Sequence, residues 1–244
     1  MRSQHSLEWI VSQLDRSLIA TLPLFRSARA EDLDRVLAGA RPLRFARETA
    51  IFEQEGDAHS FFLLLDGHVR VVKTTPAGDQ VIVRYISAGE MIGIAHAFGR
   101  DTYPASAIAA VNCVALAWPS SLWPSFVAQI PGFAASTYQT VGSRLQDAQA
   151  RLVEMATEKV EQRVARALHR LVEQSGRQTE SGRQIDFPIS RQDIAEMTGT
   201  TLHTVSRLLA AWEAKGIIAG GRQQVTVVEP ARLLVLAEGR APRG

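Results

Sequence analysis

Four glycines, Gly56, Gly67, Gly78 and Gly89, stand 11 residues apart and close short runs of β-branched and aromatic residues. The runs read AIFEQEG, SFFLLLDG, VRVVKTTPAG and QVIVRYISAG. Strand-forming segments at this spacing, each ended by a residue that turns readily, predict an all-β roll or barrel from about Leu43 to Ala117. PAGD at 76–79 suits a hairpin turn, and the even spacing predicts hairpins stacked in layers. Ahead of the strands, residues 6–20 place Leu7, Ile10, Val11 and Leu14 on one helical face, and a second short helix is expected over Glu31–Leu37.

After Pro131 the period becomes helical. Tyr138, Val141, Leu145, Ala148, Leu152 and Met155 recur at intervals of 3, 4, 3, 4 and 3 residues, an a/d seam longer than two heptads. Such a helix either packs only on its own β domain or forms a parallel coiled coil with a second copy, and the second reading is preferred. A further helix from Glu158 to about Gln174 should bury Val160, Val164, Ala167, Leu168 and Leu171. SGRQTESGRQ at 175–184 is polar and aperiodic and reads as an exposed loop.

Composition excludes several classes. Hydrophobic residues make up 46% and charged residues 21%, which is globular. No apolar run reaches the roughly 18 residues that span a bilayer, and Glu8 and Asp15 interrupt any secretory signal. A soluble cytoplasmic protein without a membrane partner is expected. The one cysteine, Cys113, allows neither an internal disulfide nor a four-cysteine cluster. Its setting, AVNCVALAW, suits a small core residue better than a redox sensor. Net charge is +2. From Glu158 onward there are 13 Lys+Arg against 10 Asp+Glu, a bias too weak to identify a nucleic-acid binder.

The chemistry is concentrated in PISRQDIAEMTGTTLHTVSRLLAAWEAKGII. Ser190 and Asp193 have capping-box spacing ahead of a helix from Gln192 to about Met197 that presents Ile194, Ala195 and Met197. Gly199 supplies a tight turn, and Thr200 or Thr201 caps a second helix that buries Val205, Leu208, Leu209 and Trp212. This is a helix-turn-helix. His203, Ser206 and Arg207 share one face of the second helix. Arg207 can bond guanine O6 and N7 together, a contact worth about 1–3 kcal/mol of discrimination. His203 and Ser206 can reach adjoining base edges, while Gln192, Thr201 and Thr204 are placed for phosphates. Ile217–Ile218 and Val225–Val228 flank GGRQ at 220–223, a β-hairpin wing whose Arg222 could also meet the backbone.

SRQDIAEMTGTTLHTVSRLL resembles the recognition motif of the Crp/Fnr superfamily of bacterial regulators. FEQEGDAHSFFLLLDGHVRV with ISAGEMIG resembles its cyclic-nucleotide-binding-type β roll, and TEKVEQRVARAL the junction after its dimer helix. The resemblance implies an α+β chain with a β-roll sensor at 1–130, a dimerisation helix at 131–157 and a winged helix-turn-helix at 158–244. It also implies a homodimer on a DNA palindrome, acting with RNA polymerase. TTLHTVSR is similar to the nitric-oxide-responsive denitrification regulators of Dnr/NnrR type, which implies a TTGxT-type half-site and, in some members, heme.

This chain departs from that pattern. Cyclic-AMP-binding members place an acidic residue after the GEMIG-type glycine and an arginine about ten residues on. Here those positions hold Ile94 and Pro104, so an effector other than cyclic AMP is expected, in a pocket edged by Ile92, Gly93, Ile94, His96, Pro104, Ala105 and Leu152. The family often has glutamate where His203 stands, and Leu202 replaces another polar contact. His68 and His96 are the candidate heme ligands, ahead of His5, His59 and His169; ordinary hydrogen-bonded histidines are the competing reading, and no CxxCH motif is present. Other readings remain: a cyclic-nucleotide-responsive regulator, or a ligand- or heme-binding sensor whose output is a protein partner. An enzyme finds little support, because Glu53, Glu55 and Asp57 are clustered without a nucleophile–base pairing.

Overall fold

The computed structural model describes residues 16–239. The face expected at Leu7, Ile10, Val11 and Leu14 lies outside those residues, as does His5. The chain divides into two compact units, residues up to 71 with 85–147, and 72–84 with residues from 148 onward.

The elements from the N-terminal side are α1 (Arg16–Ala20), α2 (Ala30–Ala38), β1 (Arg41–Phe45), β2 (Ala50–Phe52), β3 (Ser60–Asp66), β4 (His68–Thr74), β5 (Gln80–Ser87), β6 (Met91–Ile92), β7 (Ser106–Ala109), β8 (Cys113–Pro119), α3 (Trp123–Gln129) and α4 (Phe133–Thr157). The strands form two four-stranded sheets, ordered β1-β8-β3-β6 and β2-β7-β4-β5. Register on β3 explains why SFFLLLD does not alternate. Phe61 and Leu63, opposite Trp118 and Leu116, join a cluster with Phe25, Leu33, Phe126 and Phe133. Phe62 and Leu64, opposite Ala117 and Ala115, join a second cluster with Val69, Ile86, Ala107 and Ala109. A strand covered on both faces reads as one apolar run. Trp118 fixes its indole by donating from Nε1 to the Val36 carbonyl at 2.8 Å.

Gly67, Gly78 and Gly89 adopt positive φ values of 94°, 91° and 89°, as strand-ending turns require. At Gly67 the need is also steric, since a Cβ would come within 2.7 Å of both the Asn112 carbonyl oxygen and Cys113 Sγ. Cys113 is buried, and its thiol donates to the carbonyls of His68 and Val111 at 3.3 and 3.2 Å.

The second unit contains α5 (Val160–Ser175), β9 (Gly176–Thr179), β10 (Gly182–Ile185), α6 (Arg191–Thr198), α7 (Leu202–Ala214), β11 (Ile218–Gly221), β12 (Gln224–Val227) and α8 (Pro230–Ala237). The loop expected at 175–184 is instead a hairpin. β10 pairs with β12 through Arg183↔Val227 and Gln184↔Thr226, so the wing belongs to a four-stranded sheet ordered β11-β12-β10-β9. Backbone pairing, burial of Ile185 and the Arg183 bond to the Val172 carbonyl at 3.1 Å hold a segment with little apolar pattern of its own. Val164, Ala167, Leu168 and Leu171 of α5 are buried as expected, whereas Val160 is only half-buried.

Arginines tie the α4–α5 junction to the rest of this unit. Arg163 donates from Nε to the Thr198 carbonyl at 3.1 Å and from Nη1 to the Glu158 carbonyl at 3.0 Å. Arg166 pairs with Glu158 at 2.7 Å and reaches the Ala237 carbonyl at 2.7 Å, while Arg170 pairs with Glu154 at 2.5 Å. Among the described residues no helix is long and apolar enough to cross a membrane.

Candidate nucleic-acid interface and sensor residues

The interface is built from its caps outward. Ser190 Oγ accepts from the Asp193 amide at 3.0 Å, and the Asp193 carboxylate accepts the Ser190 amide at 2.7 Å, closing the box that starts α6. α6 ends at Gly199 with φ 59° and ψ 47°, the left-handed turn that re-aims the chain. A Cβ there would sit 2.5 Å from Met155 Cε. Thr201, not Thr200, caps α7, with Oγ1 accepting from the Thr204 amide at 3.2 Å.

Val205, Leu209 and Trp212 anchor α7 at 0–2% exposure, with Leu208 half-buried beside them. Trp212 Nε1 donates to Glu161 Oε1 at 3.3 Å, which fixes α7 against α5. The opposite side presents His203 and Arg207 to solvent with Ser206 half-buried between them. No hydrogen bond or ion pair to another described residue engages the Arg207 guanidinium, so its donors are available to an acceptor from outside. Leu202, 48% exposed, extends this surface as an apolar tip.

The expected phosphate contacts are more varied. Thr201 and Thr204 approach each other through their hydroxyls at 3.0 Å, so each already serves the cap. Gln192 is exposed but donates to Glu196 at 2.9 Å. Arg222 is exposed in the two-residue wing turn, whose Gln223 has φ 57°. Arg191, the first residue of α6, is exposed 3.8 Å from Glu213 and adds a cation that the sequence pattern did not single out.

The candidate pocket residues differ in their surroundings. Ile92 belongs to the cluster between the sheets, whereas Ile94 belongs to the one beneath the helices. Gly93 separates them with φ 71°. His96 and Pro104 are exposed and Ala105 is half-buried. Leu152 falls in the other compact unit and is 71% exposed. Of the seam, Tyr138, Leu145, Leu152 and Met155 are 71, 59, 71 and 48% exposed; Ala148 is exposed, and Val141 is half-buried against the core.

The histidines are similarly dispersed. His68 is half-buried with Nδ1 3.4 Å from Ser87 Oγ, His59 lies 3.6 Å from Asp57, and His169 is half-buried on α5. A heme would need an axial nitrogen projecting into an apolar slot. No histidine lines the cavity bounded by Leu24, Met91 and Trp123, so the residues at that cavity do not fit a heme. Among the described residues no group of three or more His, Cys, Asp or Glu could hold a metal ion.

Residues 42–129 match the cyclic nucleotide-binding domain, and residues 162–236 match the Crp-like helix-turn-helix domain. The nitrogen fixation regulation protein FixK of Bradyrhizobium diazoefficiens is 28% identical over 81% of this chain and 82% of its own length. The cyclic AMP receptor protein of Thermus thermophilus is 27% identical over 90% of this chain and 98% of its own. The transcriptional activator protein anr of Pseudomonas aeruginosa is 24% identical over 91% of each chain. The solved structure of FixK2 from Bradyrhizobium japonicum superposes with a TM-score of 0.71, at 21% identity, covering 84% of this chain and 99% of that one.

Proposed function

The chain belongs to the Crp/Fnr family of DNA-binding transcription regulators, and from that premise we propose that it works in the cytoplasm as a homodimer reading a palindrome through α7, under control of an effector other than cyclic AMP. The observation that carries the DNA reading is the solvent edge of α7. Its cap, its buried Trp212 and the left-handed Gly199 hold His203, Ser206 and Arg207 on one exposed side. Arg207 reads guanine, His203 and Ser206 the adjoining edges, and Arg191 and Arg222 join Gln192 and Thr201 in setting register on phosphates. The apolar stripe at Tyr138, Leu145 and Leu152 supports pairing of two α4 helices, because a monomer would leave it in water. RNA polymerase is the expected further partner of a dimer on promoter DNA.

The effector reading rests on Ile94 and Pro104. Ile94 is 6% exposed in an apolar cluster, and Pro104 has no cation to offer a cyclic phosphate. Calorimetric titration with cyclic AMP is expected to give no heat, and saturable binding would overturn that part. Fluorescence anisotropy on a TTG–CAA-type palindrome against a scrambled duplex tests the DNA reading; equal affinity for the two would sink it.

TTLHTVSR supports a finer placement among the nitric-oxide-responsive regulators of Dnr/NnrR type. An absorption spectrum recorded after heme supplementation, with and without nitric oxide, decides that point. A Soret band that moves with nitric oxide upholds it, and a heme-free spectrum ends it.

A further inference from the structure

The first unit contains a cavity of about 270 Å³ between the start of α4, the turn leading into β6, and the segment after α1. Its wall is apolar at Leu24, Met91, Ile94 and Trp123 and polar at Thr137 and Arg144. At ~30 Å³ per water it holds the volume of about nine waters, suited to a ligand of about ten non-hydrogen atoms. It is separate from the expected effector edge, of which only Ile94 takes part.

Thr137 distinguishes this cavity from a packing defect. The residue is 6% exposed, and its Oγ1 has no hydrogen-bond partner among the described residues. A helical threonine ordinarily bonds the carbonyl four residues back, as Thr140 does to Ser136 at 2.9 Å. Buried hydroxyls are almost always bonded, so one left open in a cavity wall indicates a group from outside. Two turns further along α4, in the same cavity wall, stands Arg144, whose Nη2 donates to the Met91 carbonyl at 2.9 Å. The one carboxylate in the wall, Glu90, already accepts the Ser87 amide at 2.9 Å and lies 3.9 Å from Arg144 Nη2. A guanidinium has five donors in a planar fork suited to a carboxylate.

We propose that this cavity binds a small organic monocarboxylate with an apolar body. Its carboxylate accepts from Arg144 and from Thr137 Oγ1, and its body lies along Leu24, Met91, Ile94 and Trp123. The same guanidinium joins α4 to β6 through the Met91 carbonyl, so occupancy bears on how α4 is held. The regulatory consequence rests on the DNA reading proposed above, whereas the binding does not.

Octanoate, with ten non-hydrogen atoms, is the probe, and 1-octanol its uncharged counterpart. Calorimetric titration of the full chain should show saturable octanoate binding at least 10-fold tighter than that of 1-octanol. Arg144→Gln should weaken octanoate 10-fold or more. Thr137→Val, which keeps the shape and leaves the Arg144 bond to Met91 intact, should weaken it about 5-fold. 8-Bromooctanoate should quench tryptophan emission, with the quenching reduced in Trp123→Phe. Equal affinity for octanoate and 1-octanol, or binding unchanged in both polar variants, overturns the site. Octanoate bound without any change in DNA affinity upholds the site and overturns only its coupling to α4.

Discussion

At the scale of single residues, the sharpest consequence concerns Arg207. Its side chain is exposed and bonded to no described residue, so removing it should leave folding untouched. Arg207→Ala is expected to lose about 1–3 kcal/mol, roughly 5- to 150-fold, of preference for one guanine over other bases at that position. Competition anisotropy with single-base operator variants checks this. Uniform weakening across all sequences would reassign Arg207 to a phosphate. Cys113 gives a second residue-level expectation. Burial, the largest cause, pushes its thiol above its ordinary range, partly offset by the hydrogen bonds to the His68 and Val111 carbonyls. A raised thiol keeps less thiolate at any given pH, so the native protein at pH 8 should react slowly with a disulfide reagent and quickly once unfolded. Fast reaction of the native chain would contradict this burial.

Among elements, the helix-turn-helix was legible because its constraints are local. Ser190 with Asp193 three residues on, Gly199, and the spacing of Val205, Leu209 and Trp212 are all set within one or two turns of chain. The β9–β10 hairpin was not legible, since only pairing with β12, some 40 residues away in sequence, gives GRQT and GRQI a reason to extend. The different surroundings of Ile92 and Ile94 were not legible for a related reason. Ile92 ends β6 and Ile94 stands two residues on, where a continued strand would face them alike, yet Gly93 with its positive φ ends the strand and the two fall into different clusters, which no motif spacing reveals.

Two element-level tests concern the Gly199 turn and Arg163, which bonds the Thr198 carbonyl just before it. Gly199→Ala forces a left-handed alanine, costing about 1–2 kcal/mol, and its Cβ meets Met155 Cε. Urea melts should show that Met155→Ala in the same chain recovers the steric part and leaves the backbone part. Full additivity would deny the contact. Arg163→Gln removes a charged donor from the Thr198 and Glu158 carbonyls, and a loss of about 1.5–3 kcal/mol is expected from the same melts.

For the whole molecule, the decisive quantity is the separation of two α7 helices, which one chain cannot define. A palindrome places its half-sites about 34–36 Å apart, so something must hold two copies in register. On α4, the residues that recur every seven positions, Tyr138, Leu145 and Leu152, are also 59–71% exposed. Val141 is the exception, being drawn toward the core of its own unit. Val141 thus serves the chain's own packing, while the exposed line is the face we propose for a second copy. Replacing Leu145 and Leu152 together by Glu puts four carboxylates along the interface of a dimer and costs a monomer almost nothing, since both side chains are already in water. Sedimentation should then show monomer at micromolar concentration. Affinity for the full palindrome should fall toward that for an isolated half-site, because the linkage that makes the second contact intramolecular is gone, while half-site affinity itself stays within about twofold. If the variant remains dimeric and keeps its preference for the palindrome, the α4 stripe is not what spaces the recognition helices.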